Sequence, residues 1–205
     1  MEYLAVVNER RSVKRYDKDY KMTKEEIEKI IELAALSPSA WNLQQWHFLI
    51  VTDNEKKEQL KKAAWDQPKV ADASASIVVL GDLDAYNRAD EVADDWIQKG
   101  YLSEEGKAGL VDTIHNFYKG DQTKRDEAIR GASLAAMALM LTAKDMGYAT
   151  CPMIGFDPEA IQKEFNVPKN LVPVMMITLG KGEAETRERG SRRGPKEIIT
   201  YESFE

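Results

Sequence analysis

The sequence predicts an α+β fold, with a helix-rich coat on a small sheet. Three observations carry this. Short β-branched apolar runs recur at 46–52, 74–82 and 172–180. Helical periodicity separates them. One long stretch, 123–147, is apolar almost all round its helical circumference. At 205 residues the chain fits one domain, 1–205, with an excursion at 83–122.

The elements follow in chain order. Thr23 with Glu26 forms a capping box ahead of Ile27, Ile30, Ile31 and Ala34, and Ser37-Pro38 ends that helix. WHFLIVT (46–52) reads as a strand, and Thr52 or Asp53 caps a helix running to about Trp65. Ile77-Val78-Val79-Leu80 reads as the heart of a strand buried on both faces. Residues 83–122 are acidic, dotted with aromatics and glycines, and read as weak helices in a peripheral excursion that could serve as a lid. The alanine-rich helix 123–147 is central, or shared with a partner, and Gly147 is its C-terminal cap. TCPMIGFD (150–157) reads as a loop, and Asp157-Pro158 opens a short helix. After the strand 172–180 the tail is polar and basic, though Ile198 and Ile199 could add an edge strand or pack on a partner.

Composition narrows the function. No apolar run reaches the ~18 residues of a membrane span, and the start MEYLAVVNERR lacks a signal-peptide pattern. One cysteine, Cys151, forbids an internal disulfide and is compatible with the cytoplasm. His47 and His115 are far apart, and no metal-ligand spacing occurs. The net charge is -6, yet basic residues gather at both ends: Arg10, Arg11, Lys14 and Arg15, then Arg187, Arg189, Arg192, Arg193 and Lys196. Concentrated cations in an acidic protein suit a small anion such as a phosphate better than a nucleic acid. The alternative is a solvated surface at both ends.

Four segments carry chemistry. Residues 9–17 supply Arg10, Arg11, Lys14 and the Ser12 hydroxyl for a phosphate. SPSAWNLQQWHF (37–48) supplies amides able to read a mixed-polarity heterocycle edge, or to satisfy the loop backbone, and Trp41 and Trp46, which serve a core or stack on a ring. CPMIGFD (151–157) offers backbone N–H groups, or is an ordinary connection. GSRRGP (190–195) supplies arginines. There is no GxGxxG, Walker loop, nucleophile elbow or arguable acid–base pair, which fits chemistry carried by a bound organic cofactor.

The order RRSVK, SPSAWNLQQWHF, a long Ala-rich helix, MGYATCPMIGFD, VPVMMITLGKG and an Arg-containing tail resembles the nitroreductase family of FMN-dependent oxidoreductases, over nearly the whole chain. The resemblance implies a mixed β-sheet surrounded by helices, and a homodimer with FMN at the subunit interface and the long helix packed across it. Arg10, Ser12 and Lys14, with Arg11 beside them, would hold FMN. Pro38, Ser39 and Ala40 from the other subunit would flank the flavin, with Asn42 nearby. Gln67 would address the pyrimidine edge, with Lys69 close. Pro152 lies in the loop whose Ile154 and Gly155 N–H groups would face the reactive ring edge near N5. Arg193, with Arg192, would close on the phosphate. Gln45 stands where the family has proline before the tryptophan, which would loosen that loop.

The implied activity is two-electron, ping-pong oxidoreduction. Hydride would pass from NADH or NADPH to flavin N5 and then to an electron-poor acceptor such as a nitroarene or quinone, with Lys14 or Lys69 stabilising negative charge at the N1/O2 edge. The alternatives are an FMN-binding protein without turnover, or a diverged flavoenzyme such as a dehalogenase or oxidase. Cys151 is a candidate redox thiol or simply a small buried group. His47 reads as structural.

Overall fold

The computed structural model describes residues 2–183 and 188–204. Arg187, one of the basic residues noted above, falls outside them. In chain order the elements are α1 (Tyr3–Glu9), α2 (Lys24–Ala34), β1 (Trp46–Val51), α3 (Asn54–Ala63), α4 (Lys69–Asp72), β2 (Ala75–Asp82), α5 (Ala89–Gln98), α6 (Lys107–Phe117), α7 (Asp121–Asp145), β3 (Ala149–Met153), α8 (Pro158–Glu164), β4 (Leu171–Gly180) and α9 (Pro195–Ile198). This is the expected α+β architecture.

The sheet order is β1-β2-β4-β3, and all three strand pairs are antiparallel. The mixed character expected of the sheet is confined to one isolated parallel bridge, Ser12 to Thr150. β2 is central and alternates cleanly. Ile77 and Val79 face a core shared with α2 and α7, whereas Val78 and Leu80 face a second core shared with α3 and α8. A bulge between Val79 and Leu80 faces the Pro173 region of β4, where proline has no N–H to give to the ladder.

Local signals work where they are strong. The Thr23 hydroxyl accepts from Glu26 N, and Glu26 accepts from Thr23 N at 2.7 Å, closing the capping box. Asp53 caps α3 by accepting from Lys56 N at 2.9 Å, and Asp157 caps α8 by accepting from Glu159 N and Ala160 N. α7 stops at Gly147, whose φ of +83° suits glycine, while Tyr148 N donates back to Ala143 O at 2.8 Å.

Two expectations are corrected and one element is added. The added element is α1, whose apolar residues form no buried stripe: Val6 is buried, whereas Tyr3, Leu4 and Val7 stay exposed. Residues 149–153 form β3 instead of a loop; Pro152 is tolerated because β3 is an edge strand. The tail adds no edge strand at Ile198 and Ile199, since Pro195–Ile198 is a short helix and both isoleucines are about half exposed. The 83–122 excursion is also firmer than its sequence suggests. Leu43, Ala89, Val92, Ile114 and Tyr118 build a third small core there.

Candidate functional site

The two basic ends meet. The Arg189 guanidinium donates to the carbonyls of Val7 (2.8 Å), Asn8 (3.2 Å) and Arg10 (3.0 Å), the unpaired acceptors that every helix leaves at its C-terminus. This pins the tail across the end of α1. Arg10, Arg11, Ser12, Arg189 and Arg192 then line one depression of about 160 Å³, with Glu188 as its one carboxylate among the described residues. Arg10 Nη1 is buried there with no hydrogen-bond partner. Burial first, then the neighbouring Arg189, Arg11 and Arg192, depress the Arg10 pKa. A partly buried cation with one unpartnered nitrogen, among three other cations, is costly, and an anion relieves both costs.

Arg193 lies apart, in a second depression with Glu197 and Ile198. Arg192 joins the cluster. The sequence places Arg189 in the basic tail without distinguishing it from its neighbours; its fit to the carbonyls that end α1 sets it apart.

From this depression the chain passes along the outer side of β3. Val13 N donates to Thr150 O at 2.9 Å, and Val13 is buried, so its neighbours Ser12 and Lys14 are exposed on the other side of the strand-like segment. The Cys151 thiol is buried beneath them. Its pKa is pushed up by burial, against the fields of Lys69, Lys14 and Arg10. Those three cations therefore all lie within electrostatic reach of Cys151 on β3, although 55 positions separate Lys14 from Lys69 in the sequence.

Beyond β3 a second group assembles. Gln67 Nε2 donates to Gly155 O at 2.8 Å, and Lys69 Nζ donates to Gln67 Oε1 at 2.5 Å. A Cβ on Gly155 would lie 3.1 Å from Gln67 Nε2 and 3.2 Å from Trp65 Cζ3, so a side chain here would push both neighbours by a few tenths of an ångström. Ile154, beside it, is 80% exposed just past the end of the ladder. Trp65 and Asp66 both hold positive φ, 53° and 55°, in the turn that presents Gln67. Strain of this kind costs of order 1–3 kcal/mol per residue and collects at ligand sites.

The 38–44 segment is strained in the same way. Trp41, Asn42 and Gln44 have φ of 49°, 56° and 52°. Ser39 Oγ accepts from Gln44 N at 2.9 Å and so closes the turn. Gln45 does not leave this segment loose. It is 2% exposed, its carbonyl accepts from Asp82 N, and its Nε2 donates to Tyr118 OH at 3.0 Å. Trp41 meets Phe117 and Tyr118 edge-on, which ties the segment to the excursion. Pro38, Ser39, Ala40 and Asn42 precede β1, at the sheet edge opposite β3. Three strand spacings, about 14 Å, separate those edges. His47 is exposed on β1, and His115 stands edge-on to Tyr86. Among the described residues no helix is long and apolar enough to cross a membrane.

An antiparallel α+β sheet with a cation cradle and a glycine-backed amide beside its edge strand defines a class of ligand-binding fold. Comparison with known proteins gives it a family. The model of the nitroreductase family matches residues 7–181. A Bacillus subtilis protein named "Putative NAD(P)H nitroreductase MhqN" is 44% identical over 203 residues, covering 98% of each chain. The crystal structure of ydfN from Bacillus subtilis superposes with a TM-score of 0.93 at 43% identity, over 98% of each chain. A structure from Exiguobacterium sibiricum, solved in complex with FMN, superposes with a TM-score of 0.90 at 31% identity, also over 98% of each chain. The chain belongs to the nitroreductase family.

Proposed function

We propose that this protein is an FMN-dependent, NAD(P)H-consuming oxidoreductase that reduces electron-poor acceptors, nitroarenes or quinones, in a ping-pong cycle. The carrying observation is the buried, unpartnered Arg10 Nη1 inside the cluster of guanidiniums. A phosphomonoester brings oxygen acceptors to Arg10 Nη1, which Glu188 in the same depression leaves unpartnered. The donor set around it also fits FMN, and the FMN complex of a relative with the same fold supports that choice.

In this reading Arg10, Arg11, Ser12, Arg189 and Arg192 hold the phosphate, Arg189 taking the place first expected of Arg193. Lys14 and Lys69 place positive charge at the pyrimidine edge of the ring, and Gln67 reads that edge. Pro152 sets the course of the edge strand that leads to Ile154 and Gly155, whose N–H groups orient the other ring edge. When bound, FMN supplies hydride transfer at N5, from NADH or NADPH and then to the acceptor. The chain's own task is electrostatic and positional. Its cations would stabilise negative charge on the reduced ring, and the Gln67–Gly155 bond holds in place the loop that would face it.

A second copy of the chain completes the site. Its Pro38, Ser39, Ala40 and Asn42 cover the ring, because the same segment of one chain sits across the sheet from β3. Exposed Leu134 and Met137 on α7, and Ile198, Ile199, Tyr201 and Phe204 in the tail, support this homodimer. The acceptor enters beside Trp41 and Phe117. The free Cys151 fits a reducing, cytoplasmic setting.

The test is direct. Purified protein should be yellow, or bind added FMN, and should bleach anaerobically with NADH or NADPH. A colourless protein that binds no FMN overturns the proposal. A bound flavin that no nicotinamide reduces leaves a carrier in place of an enzyme.

A further inference from the structure

We infer that the groove between α3 and α8 binds the adenosine half of the nicotinamide dinucleotide donor. This rests on the proposed function and adds to it a second docking site for the same donor. The groove has a volume of about 510 Å³, enough for a nucleoside. Trp65 stands at its edge, 68% exposed, with its indole free to stack on a base. Gln59 lines the wall, and its Oε1 is buried without a hydrogen-bond partner. An adenine edge carries an amino donor beside ring-nitrogen acceptors, so it satisfies an amide in either orientation.

The charges fit a nucleotide as well. Lys62 and Lys163 line the groove and suit a pyrophosphate. Of the two carboxylates, Asp157 is committed to the first turn of α8 through Glu159 N and Ala160 N. Glu164 remains as an acceptor for ribose hydroxyls.

Continuity with the cofactor loop decides the occupant. The same Trp65 that edges the groove packs against Gly155, where a Cβ would meet its ring at 3.2 Å. Asp157 N, two residues on, donates to Ala63 O in the groove floor at 2.8 Å. One aromatic wall therefore separates the groove from the place proposed for the flavin's reactive edge. A two-headed donor can lay its nicotinamide on one side and its adenine on the other.

The experiment compares NADH with 1-benzyl-1,4-dihydronicotinamide, a donor that lacks the adenosine half, using FMN-loaded protein. Gln59→Leu and Lys163→Glu should each raise the KM for NADH by about 3- to 10-fold, the worth of one polar contact. The benzyl donor's kcat/KM should stay within about twofold. Equal losses with both donors, or no loss with either, overturn the inference. 5′-AMP provides a test that does not depend on the flavin. It should bind the wild-type protein, by calorimetry, and bind Trp65→Ala at least about fivefold more weakly. Failure of AMP to bind refutes the groove even if the enzyme turns over. AMP binding to a protein that holds no FMN leaves the groove standing and refutes only the proposed function.

Discussion

Replacing Arg10 by Met separates a ligand cradle from a structural contact, because the two roles predict opposite outcomes. Arg10 is partly buried, its Nη1 lacks a partner, and Arg189, Arg11 and Arg192 crowd it. In the protein without ligand this is a cost. An unsatisfied buried polar group is worth about 1–3 kcal/mol of destabilisation, and methionine keeps the apolar stem while removing the charge. The variant without FMN should therefore unfold at the same urea concentration as the wild type or a higher one. Binding should move the other way. A charge-assisted hydrogen bond contributes about 1.5–3 kcal/mol, so FMN should dissociate about 10- to 150-fold more readily. Inorganic phosphate extends the test. At ten times its Kd it should stabilise the wild type by about 1.4 kcal/mol and the variant by much less. FMN fluorescence titration and urea unfolding measure both quantities. FMN affinity unchanged within twofold, or a variant that loses more than about 2 kcal/mol without ligand, would refute the argument.

Other outcomes follow from the same geometry. Gly155→Ala crowds Gln67 Nε2 by a few tenths of an ångström and weakens its bond to Gly155 O, so FMN affinity should fall by about 1 kcal/mol, roughly fivefold, in the same titration. Gly81→Ala places a Cβ 2.9 Å from the backbone oxygen of Ala128, which cannot swing aside as a side chain could; unfolding should show a loss of about 1–3 kcal/mol. Glu26 accepts from the Tyr148 hydroxyl and from Thr23 N, and these bonds, Tyr148 first, hold its carboxyl below the usual carboxylate range. A depressed folded-state pKa means that the unfolded chain binds the proton first, so this stabilisation is present above about pH 4.3 and disappears as pH falls. Urea unfolding between about pH 3 and 6 should show the wild type losing stability in acid faster than Glu26→Gln.

Local chemistry made much of this fold legible. Thr23, Asp53 and Asp157 announced their helices because a side-chain oxygen three residues from a free N–H needs nothing else. β2 was readable because a strand buried on both faces must be apolar throughout. β3 was not, since Pro152 and Gly155 mimic a loop and only its place at the sheet edge makes the proline harmless. α1 hid for the reverse reason: it buries a single residue, Val6, so it carries no amphipathic stripe. Gln45 was read as loosening its loop, yet the loop is held by Asp82 and Tyr118, contacts that no window of the sequence displays.

Local residue order sets the helix caps, the central strands and the concentration of cations at both ends of an acidic chain. Tertiary structure alone decided which cations meet. Arg189 reaches Arg10 across 179 residues, and Gln67 reaches Gly155 across 88. Such partners are chosen by the path of the backbone and not by their neighbours in sequence. That path is fixed by burying two faces of one small sheet, so the core that carries no chemistry sets the positions of the residues that do.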